Sequence, residues 1–103
     1  MTHQKYSGVF AATLTPYAPD GTVDAGVART LTRYLINEGL AGVCPAGTTG
    51  EFPMLGRDEK AVLNMSACEA AGEEGRVIAG VWGNTAESAW LAKDAALHGA
   101  SAV

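Results

Sequence analysis

The chain has 103 residues, 48% of them hydrophobic and 17% charged, with a formal charge of -4 at pH 7. That length suits one small domain and excludes a second complete one. The negative balance offers no basic face to a phosphate backbone, which argues against nucleic acid as a partner, and no apolar stretch approaches the roughly 20 residues that span a bilayer.

The first strand signal is Val9-Phe10-Ala11-Ala12-Thr13-Leu14-Thr15, closed by Pro16, which cannot donate a ladder hydrogen bond. It has no charges and no two-residue alternation, as expected of a parallel strand buried on both faces. Tyr17 to Val23, with Pro19, Asp20 and Gly21, reads as a turn. Asp24 can then cap a helix running to about Glu38, with Gly39 as its stop. Val27, Leu31 and Leu35 share one face of it, with Tyr34 beside them, and form the predicted buried side.

A second apolar run, Ala41 to Ala46, leads into Gly47-Thr48-Thr49-Gly50-Glu51. A second helix is predicted from near Arg57, with Gly56 at the N-cap and Glu59 three residues on as in a capping box. Asp58 and Glu59 suit the positive end of its dipole, and Val62, Leu63 and Ala67 supply an apolar face. Val77 to Trp82 is the third strand. Asn84 and Glu87 offer another capping box for a helix through about Leu97, with Trp90, Leu91 and Leu97 on its predicted buried face, and His98-Gly99 ends it. Ala100 to Val103 resembles the first half of a fourth strand. Strands beginning near residues 9, 42 and 77 are spaced for successive βα units. Such alternation fits either a barrel or an open doubly wound sheet.

The last residues are small and apolar, with no closing helix, and a sheet ending there would expose an edge. The chain therefore reads as cut short, a single partial domain over residues 1–103. The opening MTHQKYSG lacks the apolar core and cleavage-type end of a secretory signal, so the cytoplasm is expected. Cys44 and Cys68 are too few and too far apart for a metal knuckle. Spacing leaves a disulfide open, but their settings favour two buried free thiols. Asn64-Met65-Ser66 matches a glycosylation sequon inside a predicted helix and is read as chance.

Ligands of α/β proteins sit at the C-terminal ends of parallel strands. Three such ends are visible: Thr13 to Tyr17, Gly47 to Phe52, and Trp82 to Thr85. The second is the most informative. Gly47 and Gly50 allow a tight turn and close approach, Thr48 and Thr49 add hydroxyls, and successive amides there form a concave anion site suited to a carboxylate. The nucleotide readings are weak. Gly42 to Gly47 has the glycine spacing of a Walker A segment, but Thr48 stands where its lysine belongs, and Gly80-Val81-Trp82-Gly83 lacks the dinucleotide opening. The remaining alternative for Gly47 to Glu51 is a plain strand-to-helix turn.

Gly47-Thr48-Thr49-Gly50-Glu51, followed by Leu55 and Asp58-Glu59, resembles the signature of the dihydrodipicolinate synthase and N-acetylneuraminate lyase family. Thr15-Pro16, Asp20-Gly21 and Ile78-Ala79-Gly80 add to the likeness, which extends from Gly8 to Val103. The resemblance implies the N-terminal portion of a (β/α)8 barrel, about three βα units and the start of a fourth strand. It also implies a Schiff-base lyase or aldolase in which a lysine condenses with pyruvate or another 2-keto acid, without a separate cofactor or metal. Thr49 matches the threonine that holds the pyruvate carboxylate, and Thr48 the one that joins a proton relay with tyrosines. Glu51 is read as supporting the loop.

The family's Schiff-base lysine lies on the sixth strand and its main relay tyrosine on the fifth, beyond this chain. Lys5, Lys60 and Lys93 are not substitutes: one is terminal, and Lys60 and Lys93 are read as solvated on helix surfaces. Tyr6, Tyr17 and Tyr34 do not match the relay tyrosine, and a packing role is read for Tyr17. His98 is read as a partner of the helix dipole. Phe52 departs from the small serine of many lysine-pathway synthases, which leans towards sugar-acid aldolases or dehydratases and away from lysine feedback. The resemblance implies a homotetrameric parent and an inactive 103-residue piece. Two other hypotheses are a non-catalytic half-barrel that assembles with another chain, and a small phosphate-binding α/β protein.

Overall fold

In a computed structural model, which describes residues 6–103, the elements alternate in the expected order. They are β1 (Phe10–Ala12), α1 (Ala25–Asn37), β2 (Gly42–Cys44), α2 (Arg57–Ala71), β3 (Arg76–Val77) and α3 (Thr85–Leu97), with a short 3-10 turn at Phe52–Met54 before α2. The strands pair in parallel in the order β1-β2-β3, with Phe10 opposite Gly42 and Gly42 opposite Arg76. A parallel bridge from Ile78 to Ala102 sets the predicted fourth strand beside β3.

The helix boundaries follow from their end chemistry. Asp24 Oδ1 accepts the Val27 amide at 3.0 Å, which satisfies one of the amides a helix start leaves open. Gly39, at φ 101°, turns the chain out of α1, while its amide bonds Ile36 O and the Leu40 amide bonds Leu35 O, a Schellman ending. Gly99 repeats this at the end of α3, with bonds from its own amide to Ala96 O and from Ala100 to Ala95 O. Each predicted capping box is half realised. Glu59 accepts the Gly56 amide at 2.8 Å, but glycine has no side chain to reciprocate. Asn84 accepts the Glu87 amide at 2.9 Å, while the Glu87 carboxylate goes elsewhere.

Only one face of the sheet is covered among the described residues, so β1 is not buried on both sides: Val9 is 70% exposed and Leu14, just past the strand, 68%. The covered face packs Val43 and Val77 against Ile36, Ala67, Cys68 and Ala71. A second group joins Ala28, Ala46, Leu55 and Leu63. Alanines at 67 and 71 let the helices approach closely; Arg29 pairs with Glu69 across α1 and α2, and Arg33 with Glu74 in the turn after α2.

Two predicted helix faces are corrected. The fully buried positions of α1 are Ala28, Thr32 and Ile36, one residue on from the predicted stripe. Leu31 and Leu35 flank them half-buried, and Val27 and Tyr34 are exposed. In α3, Leu91 and Ala95 are buried, whereas Leu97 is 85% exposed. Trp90 lies outside the core and stacks under the Arg57 guanidinium, 4.1 Å from its ring centre. Small side chains hold the inner rows because the helices sit close to the sheet.

On the bare face, Gly42 lies beneath the Phe10 ring, and a Cβ there would collide with that ring and with Arg76 O. Cys44 is half-buried, Cys68 is buried, and both are free thiols. Asn64 and Ser66 are buried within α2, so the sequon is closed to modification. His98 caps α3, its Nδ1 2.8 Å from Asp94 O. No helix among the described residues is long and apolar enough to cross a membrane.

Candidate active site

The three strand ends converge. The Gly47–Glu51 loop crowns β2 with two unusual backbone positions, Ala46 at φ 56° before it and Glu51 at φ 61° at its end. Left-handed conformations at residues bearing a Cβ cost about 1–2 kcal/mol each and persist where neighbours hold them. Here the hold is visible. The Glu51 amide bonds Thr48 O at 3.0 Å and the Phe52 amide bonds Gly47 O at 3.2 Å. From the segment that follows β1, Thr15 Oγ1 donates to Gly50 O at 2.5 Å. A Cβ on Gly50 would stand 3.1 Å from Ala46 N and 3.2 Å from both Thr13 O and Thr15 Oγ1, so the close approach requires glycine.

Thr48 and Thr49 stand exposed at the top of this loop. Among the described residues, neither their amides nor their hydroxyls have a hydrogen-bond partner. The loop thus presents two adjacent exposed residues with unpartnered donors, on a base held by Thr15. Glu51 supports the loop through its backbone. Tyr17 is held by a backbone bridge to Val23. Partial desolvation, then the charges of Glu51 and Glu59, raise its phenol above the usual value.

The third strand end is tied in by two contacts. Phe52 and Trp82 stack with ring centres 5.2 Å apart and 22° between planes. Gly80 passes so close to β2 that a Cβ would collide with Pro45 O and Ala46 O. Asn64, 1% exposed, fixes that glycine: its Nδ2 donates to Gly80 O at 2.9 Å and its Oδ1 accepts the Gly80 amide at 3.1 Å. Beside these strand ends opens a cleft of about 570 Å³, lined by residues including Cys44, Pro45, Gly47, Gly80 and Trp82.

Lys60 overturns its expected place. It is 5% exposed, not solvated. Its ammonium donates to Glu87 Oε2 and to Trp82 O, both at 2.7 Å. Lysine follows the same buried row as Leu63, Asn64, Ala67 and Ala71, and its stem reaches along the core to the end of β3. With its charge committed to Glu87, it is a structural cation, not a free amine. Lys93 is exposed on α3; Lys5 and His3 lie outside the described residues. Asn64 was also missed. A weak helix former between Leu63 and Met65 on an inward row was the available signal.

The sequence profile of the Dihydrodipicolinate synthetase family matches residues 5–103. The 4-hydroxy-tetrahydrodipicolinate synthase of Mycolicibacterium paratuberculosis is 43% identical over 93 residues, which are 89% of this chain and 31% of that protein. The sialic acid aldolase of Ruminococcus gnavus superimposes with a TM-score of 0.88 at 29% identity, covering 93% of this chain and 32% of the other. YagE, a prophage protein of E. coli K12 belonging to the dihydrodipicolinic acid synthase family, was solved in complex with pyruvate and gives a TM-score of 0.85 at 28% identity, over 92% of this chain and 32% of its own. The chain therefore spans about a third of the length of the relatives it matches. Its three βα units are the N-terminal portion of a (β/α)8 barrel. On profile, sequence and architecture together, the chain belongs to the dihydrodipicolinate synthetase family.

Proposed function

We propose that these residues supply the carboxylate-binding part of a pyruvate-dependent Schiff-base lyase or aldolase. The observation that carries this reading is the pair Thr48–Thr49, whose amides and hydroxyls are unpartnered at the end of β2 while the loop below them is fixed by the Thr15–Gly50 bond. Preorganised donors of this kind bind a carboxylate without the cost of reorganising the loop. A 2-keto acid held by its carboxylate would present its carbonyl to a lysine amine. The amine adds to the carbonyl carbon, water leaves, and the protonated imine withdraws electrons from the adjacent carbon. Loss of a proton from that carbon gives the enamine, which bonds to an aldehyde carbon. In reverse, breaking that carbon–carbon bond releases the aldehyde and leaves the enamine, which then takes up a proton. Thr49 is assigned to the carboxylate and Thr48 to proton transfer during imine formation. The pyruvate complex of YagE supports the choice of ligand.

Among the described residues, Lys60 is consumed by Glu87 and Lys93 lies on an exposed helix face. The Schiff-base lysine and main relay tyrosine are therefore assigned to sequence outside these residues, and the 103 residues alone are expected to be inactive. Whether the aldehyde partner is that of a synthase or of a sugar-acid aldolase is decided by residues outside this chain; Phe52 leans to the latter. The assembly is proposed to be a homotetramer in the cytoplasm.

Borohydride reduction of the full-length gene product with pyruvate, followed by peptide mass spectrometry, tests the reading. The expected result is one pyruvyl-lysine outside residues 1–103, lost when Thr49 is replaced by valine at low pyruvate. An adduct on Lys60 or Lys93, or none at all, would overturn it.

A further inference from the structure

Resting on that reading, we infer that Lys60 is a positioning residue for the carboxylate-binding loop, acting through Trp82 and Phe52. Each link is a direct contact. The Lys60 ammonium grips the backbone at Trp82 O while Glu87 neutralises it. Gly83 leaves the room that Glu87 needs, since a Cβ there would collide with its carboxylate. Glu87 is itself placed by the Asn84 cap at the start of α3. The grip fixes the chain at the exit of β3, and with it the indole that stacks on Phe52. The Phe52 amide in turn closes the loop on Gly47 O, one residue before Thr48.

The arrangement has a physical logic. Thr48 and Thr49 are exposed and unpartnered, so the loop must be held from its sides. Thr15 holds it from the segment after β1 and Phe52 holds it from the β3 side. Phe52 can do so only while Trp82 is fixed, and Trp82, 54% exposed, is not held by burial in the core. The ion pair, with Lys60 buried and Glu87 part-exposed, supplies what packing does not. A role in binding rather than chemistry follows: loosening the loop weakens capture of the carboxylate but leaves the amine and its proton donors in place.

The test uses the full-length gene product and steady-state kinetics with pyruvate. Lys60→Met is expected to raise KM for pyruvate about three- to tenfold, the scale of one lost aromatic contact, with kcat within about twofold. Lys60→Arg should restore much of the loss, since it keeps a charged donor. Phe52→Leu breaks the stack without touching the ion pair and should give the same KM rise. The Lys60→Met/Phe52→Leu double variant should be no worse than the worse single one, because both act along one path. If Lys60→Met does not fold, Phe52→Leu and Trp82→Leu carry the test alone. A lowered Tm with wild-type KM for pyruvate, or independent multiplying effects of Lys60 and Phe52, would overturn the inference. Failure of the wild type to form a borohydride adduct would instead sink the functional reading, and the inference with it.

Discussion

Asn64 and Gly80 are joined by two hydrogen bonds, the side-chain amide of one matching the backbone carbonyl and amide of the other at 2.9 and 3.1 Å. A buried helix side chain thereby does the work of a neighbouring strand at the point where β3 has already left the ladder. Asn64→Leu should cost about 2–4 kcal/mol, since two buried backbone groups lose their partners at once. Asn64→Asp should cost at least as much, because a carboxylate cannot donate to Gly80 O. Urea unfolding of the full-length gene product, compared at constant m-value, measures both.

Thr15, three residues past the end of β1, is the counterpart. Thr15→Val keeps shape and burial but leaves Gly50 O without its donor, at an expected cost of about 1–3 kcal/mol. Thr15→Ser should recover most of it. Thermal unfolding of the pair separates the hydroxyl from the methyl.

For ligand capture, Thr49→Val removes the hydroxyl proposed to meet a carboxylate. A hydrogen bond to a charged acceptor contributes about 1.5–3 kcal/mol, so affinity for pyruvate should fall roughly 10- to 100-fold. Isothermal titration of the full-length gene product measures it directly. An affinity unchanged within twofold would remove Thr49 from the carboxylate site.

Backbone strain at Glu51 predicts an unusual tolerance. Its φ of 61° suits glycine, so Glu51→Gly should be nearly neutral, relief of strain offsetting the extra freedom of the unfolded chain. Glu51→Val should instead cost about 1–2 kcal/mol. A denaturation series at this one position checks the sign of each change.

Alkaline stability should depend on Cys68. Burial first, then the charges of Asp94 and Glu69, raise its thiol above the ordinary value of 9.0. The unfolded chain therefore releases this proton at a lower pH than the folded one. Its stabilising effect is complete below pH 9 and lost as pH rises from there through the raised folded value. Cys68→Ala should flatten the fall in unfolding free energy above pH 9, measured against wild type in buffers of equal ionic strength.

The elements whose ends carry their own chemistry were the readable ones. Asp24, Asn84, Gly39 and Gly99 announce where α1 begins and ends and where α3 does, and the structure uses all four. The Gly47–Glu51 loop was equally plain, because its glycines and threonines have few other uses at a strand end. What escaped depends on partners distant in sequence. Lys60 looks like a surface lysine until Glu87 and Trp82 O arrive from 27 and 22 residues away. Asn64 looks like part of a sequon until Gly80 meets it. The α1 face was misplaced by one residue because the large apolar side chains were counted. The inner row belongs instead to Ala28, Thr32 and Ile36, which fit the space between helix and sheet.

The contact between Phe10 and Gly42 makes two strands share one side chain's worth of volume. The ring belongs to β1 yet covers the site where β2 would place its own. The dependence runs one way: residue 42 stays glycine whatever stands at 10, because Arg76 O also occupies its Cβ site, while shrinking residue 10 opens a void over residue 42. In any library built on this sheet residue 42 is a constant, and residue 10 varies only among side chains that fill the space above it.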